Sequence, residues 1–169
     1  MEMDTVSRNC ILTAGVAKRK IRRMAFEIAE SNADARSIII AGITGNGVVV
    51  AKIIYDELEQ ILKTTIDLIS ININKRQVLE VSIDPEVQFT NKVIIVVDDV
   101  ANTGRTMLYA LKPFLEYQPA KIQTLVLVER SHKLFPVHTD FVGLTVATTL
   151  QDHISVETEN GIIKGAWLH

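Results

Sequence analysis

Strand-like and helix-like stretches alternate from residue 37 to residue 129, and this predicts an α/β domain: a mostly parallel sheet, helices on both of its faces and a small β hood at the C-terminal end. Two further observations support that class. The run VIIVV at residues 93–97 is apolar at every position, as a parallel strand covered on both faces requires. The chain has 169 residues, of which 47% are hydrophobic, enough for one domain with a core of its own and too few for two.

The elements follow in order. From Ala14 to Ser31, Ala14, Ala17, Ile21, Met24, Ala25 and Ile28 recur at a 3.6-residue period, while Lys18, Arg19, Lys20, Arg22 and Arg23 take the remaining positions. That is an amphipathic surface helix. The β-branched run SIIIA at 37–41 leads into the loop ITGNG, and VVVAKIIYDELEQIL at 48–62 then returns to helical spacing. Ile66, Leu68, Ile69, Ile71 and Ile73 mark a strand, followed by the polar KRQ and by VLEVSI, which runs to a turn at Asp84 and Pro85. The strand at 93–97 stops at Asp98 and Asp99. A helix is expected over 105–117, kinked or ended near Pro113, which has no N–H to give. IQTLVLVE at 122–129 is the next strand, and residues 140–169 carry short strand-like pieces and a turn at Glu159, Asn160 and Gly161.

Composition excludes several classes. Cys10 is the single cysteine, so no intrachain disulfide forms and no CxxC pair is present; a reducing cytoplasm is the expected compartment. The opening MEMDTVSRN lacks the basic start and apolar stretch of an export signal, and no apolar run nears the ~20 residues that span a bilayer. With 18 basic against 20 acidic residues the chain lacks the positive excess of a general nucleic-acid binder.

The chemistry concentrates in VIIVVDDVANTGRT, residues 93–106. An apolar strand ends in two adjacent carboxylates, and Thr103, Gly104, Arg105 and Thr106 open a helix. Free backbone N–H groups there suit a phosphate, Gly104 lets the backbone approach it, and the hydroxyls of Thr103 and Thr106 add donors. Asp98 and Asp99 would repel that phosphate. Sugar hydroxyls, with or without a hard cation such as Mg²⁺, are the partners carboxylates favour. Phosphate on one side and diol on the other describe a ribose 5-phosphate. One acid in this place would simply cap the helix, but two at the end of an apolar strand need a partner.

The same stretch resembles the phosphoribosyl pyrophosphate (PRPP) motif of the type I phosphoribosyltransferases. The helix AKRKIRRMAFEIAESN, the segment SIIIAGITGNGVVVAKIIYDEL and the tail LVERSHKLFPVHTDFVG are similar to the pyrimidine-operon attenuator proteins with uracil phosphoribosyltransferase activity, and the likeness covers most of the chain. It implies the type I fold in a single domain over residues 1–169, with a core at about 14–130 and the hood at about 131–169. It implies transfer of the phosphoribosyl group to a nucleobase, uracil by preference, with Mg²⁺ as cofactor. By the same resemblance Asp98 and Asp99 are the catalytic pair on the ribose hydroxyls and the metal side. Ala101, Asn102, Thr103, Gly104, Arg105 and Thr106 wrap the 5-phosphate, Thr44, Gly45, Asn46 and Gly47 hold pyrophosphate, and Arg130, Phe141, Val142 and Ile154 meet the base. Phe141 has a core role as its alternative, and Trp167 either packs on the base or closes the hood.

Three departures from that family carry expectations. The attenuator proteins usually have KTRG where this chain has Thr44, Gly45, Asn46 and Gly47, two positive charges fewer. The family's flexible catalytic loop, between Ile73 and Val93, is short. Asn102 stands where purine-type relatives often carry an acid serving the base N7, which argues against a hypoxanthine, guanine or xanthine enzyme. A sensor of PRPP or nucleotide with weak or no catalysis is therefore the second reading, and a hypoxanthine, guanine or xanthine phosphoribosyltransferase is the third. Relatives form dimers or tetramers, and Phe26 on the basic helix face points to an interface. Messenger RNA, bound by the attenuator relatives, is a less favoured partner here, because basic side chains are lacking across 145–153.

GITGNG is no dinucleotide fingerprint, since its glycines read GxxGxG and Asp67 opens its strand rather than ending it; no Walker A loop occurs. His132, Lys133, His138 and His153 show no zinc spacing.

Overall fold

The computed structural model describes residues 8–74, 80–149 and 151–169. Its elements are β1 (Asn9–Thr13), α1 (Ala14–Ser31), β2 (Ser37–Ile43), α2 (Asn46–Ile61), β3 (Thr65–Ile73), β4 (Val81–Asp84), β5 (Val93–Ala101), α3 (Arg105–Ala110), a 3₁₀ turn (Lys112–Glu116), β6 (Lys121–Arg130), β7 (Phe141–Val146), β8 (Ile154–Glu159) and β9 (Ile162–Leu168). Six strands form one sheet in the order β4-β3-β2-β5-β6-β7, parallel except where β4 turns back on β3. A separate three-stranded antiparallel sheet has the order β1-β9-β8.

The apolar runs sit where they do because the large sheet is covered on both faces. Ile38, Ile40, Val93, Ile95, Val97, Leu125 and Leu127 pack with Ile21, Met24 and Ile28 of α1 and Val50, Ile54 and Leu58 of α2. Their neighbours Ile39, Ala41, Ile94, Val96 and Val126 point the other way, against Met107, Ala110, Phe114 and Phe89. Alternation puts successive side chains on opposite faces, so a strand buried on both must be apolar throughout. The helix over Ala14–Ser31 buries Ala17, Ile21, Met24, Ala25 and Ile28, and Thr13 caps it by accepting from the Val16 N–H at 3.4 Å.

Several expectations need correction. Strand β5 continues through both aspartates to Ala101 instead of stopping before them, because β6 pairs with it as far as Ala101↔Glu129. The helix after the loop ends at Ala110, three residues short of Pro113, and the chain tightens into 3₁₀ geometry; Pro113 near the start of that turn needs no N–H bond. The boundary between core and hood does not fall near residue 130. Residues 141–146 form β7, the parallel edge strand of the large sheet, while β1, from the N-terminal side, completes the hood with β8 and β9. Residues 75–79, which carry KRQ and part of the expected catalytic loop, lie outside the described residues.

From β2 the chain goes outward to β3 on one side and returns to β5 on the other, so the order reverses between β2 and β5. A crevice opens beyond the carboxyl ends of strands at such a point. The loop from β2 into α2 and the loop from β5 into α3 both end there.

Candidate functional site

A cavity of about 290 Å³ occupies this crevice, walled by Asp98, Asp99, residues 100–104 and Thr106 of the turn, Asn46, and the hood residues His153, Ile154, Ser155 and Val156. Asp98 is almost fully buried, at 3% exposure, so its charge needs partners. The Asp99 N–H donates to Asp98 Oδ1 at 2.9 Å, and Gly47, in the first turn of α2, lies so close that a Cβ there would stand 2.9 Å from the same oxygen. The positive end of a 16-residue helix thus faces a buried carboxylate. Asp99 is less buried. Its Oδ1 accepts from the Val100 N–H at 2.9 Å and its Oδ2 from Asn46 Nδ2 at 3.2 Å, leaving lone pairs toward the cavity.

The turn beyond β5 leaves backbone amides without protein acceptors. Gly104 adopts φ +83°, the left-handed conformation glycine enters without penalty, and reverses the chain into α3. Thr103 is fixed from outside: its carbonyl accepts from the N–H groups of Leu134 and Phe135 at 2.9 and 3.0 Å. Its Oγ1 accepts from the Arg105 N–H at 3.2 Å. The amides of Gly104 and Thr106 have no protein acceptor among the described residues. Asn102 Oδ1 is sealed from solvent and likewise has no hydrogen-bond partner among the described residues.

The hood supplies a backbone edge. His153 and His169 exchange both N–H···O bonds, at 3.1 and 2.9 Å, so Ser155↔Trp167 is the next such pair along the ladder. The alternating residues Ile154 and Val156 therefore turn their N–H and C=O groups away from β9, to the free edge of the sheet. The Val156 carbonyl accepts from Asn46 Nδ2 at 2.7 Å. Ile154 keeps its side chain in the core and faces the cavity from this edge.

The structure gathers Asp98, Asp99, Ala101, Asn102, Thr103, Gly104, Thr106, Asn46 and Ile154 around one cavity. It does not bring the rest of the expected set there. Arg105 is exposed, its guanidinium 5.9 Å from the Tyr109 ring centre. Thr44 points elsewhere, its Oγ1 accepting from the Ile73 N–H at 3.4 Å beside a separate groove. Gly45, at φ 95°, shapes the entry to α2. Arg130 donates from Nε to Thr148 Oγ1 at 2.7 Å and from its guanidinium to the Thr149 carbonyl, which anchors the loop after β7. Phe141 is 4% exposed and belongs to the core against α1, so its core alternative is the one realised; Val142 packs on the opposite face. Trp167 lies under the Arg8 guanidinium, 4.1 Å away, within the hood.

Sequence reasoning missed His153, Ser155 and Val156 as cavity walls, and the bridging role of Asn46. The alternation in HISVETE signals a half-buried strand but not which edge stays free. Among the described residues no group of three or more His, Cys, Asp or Glu could hold a metal by itself, and no helix is long and apolar enough to cross a membrane.

A family model for the phosphoribosyl transferase domain matches residues 8–159. The bifunctional protein PyrR of Staphylococcus saprophyticus is 34% identical over 164 residues, covering 91% of this chain and 94% of the relative. That of Microcystis aeruginosa is 34% identical over 157 residues, 86% and 88% of the two chains. Among solved structures, a hypoxanthine-guanine phosphoribosyltransferase from Bacillus anthracis superposes with a TM-score of 0.73 at 15% identity, covering 95% and 99% of the two chains. The hypoxanthine phosphoribosyltransferase of Trypanosoma cruzi gives a TM-score of 0.71, also at 15% identity, over 82% and 81%. With the model matched along most of the sequence and these relatives aligned nearly end to end, the chain belongs to the type I phosphoribosyltransferase family.

Proposed function

We propose that this protein is a cytoplasmic enzyme that transfers the 5-phosphoribosyl group of PRPP to a pyrimidine base, uracil by preference, and releases pyrophosphate. The observation that carries the reading is the placement of an anion turn, a carboxylate pair and a free backbone edge around one cavity. The free amides of Gly104 and Thr106 receive the 5-phosphate, with the Thr106 hydroxyl beside them. Asp99, with Asp98 behind it, accepts from the ribose 2- and 3-hydroxyls. The Ile154 edge offers one donor and one acceptor to the base, the complement of a ring N–H beside a carbonyl. The base nitrogen forms its bond to C1 as the C1–O bond breaks, pyrophosphate leaves with the bonding pair, and the nitrogen loses its proton to solvent. The sugar gains positive charge on the way, and fixed carboxylates nearby lower that barrier.

The donor set fits Mg²⁺. This ion commonly takes one or two carboxylates and fills its other positions with water and substrate phosphates. Asp99 would hold it, directly or through water, together with PRPP oxygens. Bound there, the cation neutralises charge on the pyrophosphate leaving group.

A second reading, a PRPP or nucleotide sensor with weak catalysis, draws on one specific observation. No Lys or Arg side chain lines the cavity among the described residues, and nearby Lys133 is paired with Glu129 at 2.7 Å. A polyanionic leaving group is held poorly without cations. An RNA-regulatory role is less favoured: on the basic face of α1, Arg23 is engaged by Glu27 and by the Val142 and Gly143 carbonyls. We place the protein in a homo-oligomer, with half-exposed Phe26 on α1 at the interface.

The experiment is incubation with PRPP, Mg²⁺ and, one at a time, uracil, orotate, hypoxanthine, guanine, xanthine and adenine, following nucleotide formation. Product with uracil supports the enzyme, and PRPP binding with no product from any base supports the sensor. A protein that neither binds PRPP nor forms product contradicts both.

A further inference from the structure

We infer that Asn46 is a positioning residue that locks the sugar half of the site to the base half, a role distinct from the pyrophosphate contact expected of its loop; the inference rests on the function proposed above. The Asn46 carboxamide has four hydrogen-bonding positions, and three are filled by groups from two elements remote in sequence. Nδ2 donates to Asp99 Oδ2 at 3.2 Å and to the Val156 carbonyl at 2.7 Å, and Oδ1 accepts from Thr158 Oγ1 at 2.8 Å. One side chain thus joins the acid that faces the ribose to two alternate residues of β8, the strand whose free edge faces the base.

Ile154 and Val156 also pack into the core shared with β5 and α2, and Asn46 adds the hydrogen bonds that tie this edge to Asp99. The free edge of β8 has no strand beside it, because the hood sheet ends there. Val156 and Ile154 are two residues apart on that edge, so fixing the Val156 carbonyl fixes the direction in which the Ile154 N–H and C=O point. An arginine here would carry charge toward a leaving group but has no acceptor to receive the Thr158 hydroxyl. Since Asn46 sits at the start of α2, it is held by a regular helix and makes a rigid reference point.

The test separates the two halves by ligand. Ribose 5-phosphate occupies only the phosphate and diol half, whereas a nucleoside 5′-monophosphate also reaches the β8 edge. Calorimetric Kd values for ribose 5-phosphate and for the tighter of uridine and inosine 5′-monophosphate are measured on the full chain with Mg²⁺. Thr158 lies outside the cavity, and Thr158→Val removes only the bond that orients the amide. It is expected to weaken the nucleotide about tenfold while leaving ribose 5-phosphate within about twofold. Asn46→Ala loses both links and weakens both ligands, the nucleotide more. Thr158→Val that affects the two ligands equally, or neither, overturns the inference, and so does Asn46→Ala with unchanged nucleotide affinity. Should Asn46→Ala fail to fold, the near-isosteric Thr158→Val still decides. Failure of the wild-type protein to bind either ligand would instead overturn the proposed function itself, a result visible before any variant is made.

Discussion

Gly47 rests directly on Asp98: a Cβ on this glycine would lie 2.9 Å from Asp98 Oδ1, 3.0 Å from the Val97 carbonyl oxygen and 3.2 Å from Asp98 Cα. Two of those neighbours are backbone of a central strand and cannot rotate away. The close approach brings the first turn of α2 onto the buried carboxylate. Gly47→Ala must therefore push α2 off β5, at a cost of about 1–3 kcal/mol and several degrees in Tm. PRPP affinity falls with it, because Asp98 and Asp99 move together. Thermal unfolding with calorimetric titration checks both, and unchanged Tm with unchanged affinity would show that the contact is slack.

Gly104 carries a different constraint. Its φ of +83° is a conformation that costs other residues about 1–2 kcal/mol, and a Cβ would meet Val137 Cγ1 at 3.1 Å. Gly104→Ala is expected to weaken binding of inorganic phosphate and ribose 5-phosphate by at least about tenfold, since a shift of the turn misdirects the free amides. Phosphate competition against a fluorescent nucleotide measures this. Equal affinity in the variant would remove the turn from the binding site.

How far the sequence could be read follows from the range of each interaction. The two-sided burial of β2 and β5 is written locally, in runs where every position is apolar, and the amphipathic period of α1 is equally local. The turn after β5 is local too, since Asp98 to Thr106 are contiguous. What was not legible depends on partners far away in sequence. β1 exposes most of its five residues and buries only Leu12, so its assignment to the hood rests on pairing with β9 more than 150 positions on. Phe141 is an aromatic whose burial or exposure is decided by whether β7 joins the large sheet. Asn46 reads as a loop residue until Val156 and Thr158 are brought against it.

The burial of Phe141 yields a prediction that distinguishes core from base site. Phe141→Leu keeps most of the apolar volume, so Tm is expected to fall by only a few degrees while the KM for the base stays within about twofold. Phe141→Ala leaves a cavity costing about 3–5 kcal/mol, read as a lowered denaturation midpoint. Were the ring a stacking surface for the base, Phe141→Leu would instead raise KM severalfold at unchanged stability.

Asn102 provides the sharpest test of base choice. Asn102 forms part of the cavity wall, and its Oδ1 is sealed from solvent without a hydrogen-bond partner among the described residues, so a substitution here changes a buried polar group beside the bound ligand. Asn102→Asp supplies an acid of equal size at this place. The charge stands in the same turn as the Gly104 and Thr106 amides and is expected to weaken PRPP about tenfold. For the same reason it offers a stronger acceptor to a protonated N7. In the base panel, the ratio of hypoxanthine to uracil product should rise by about tenfold or more relative to the wild type, even as total turnover drops. An unchanged ratio would mean that residue 102 does not face the base.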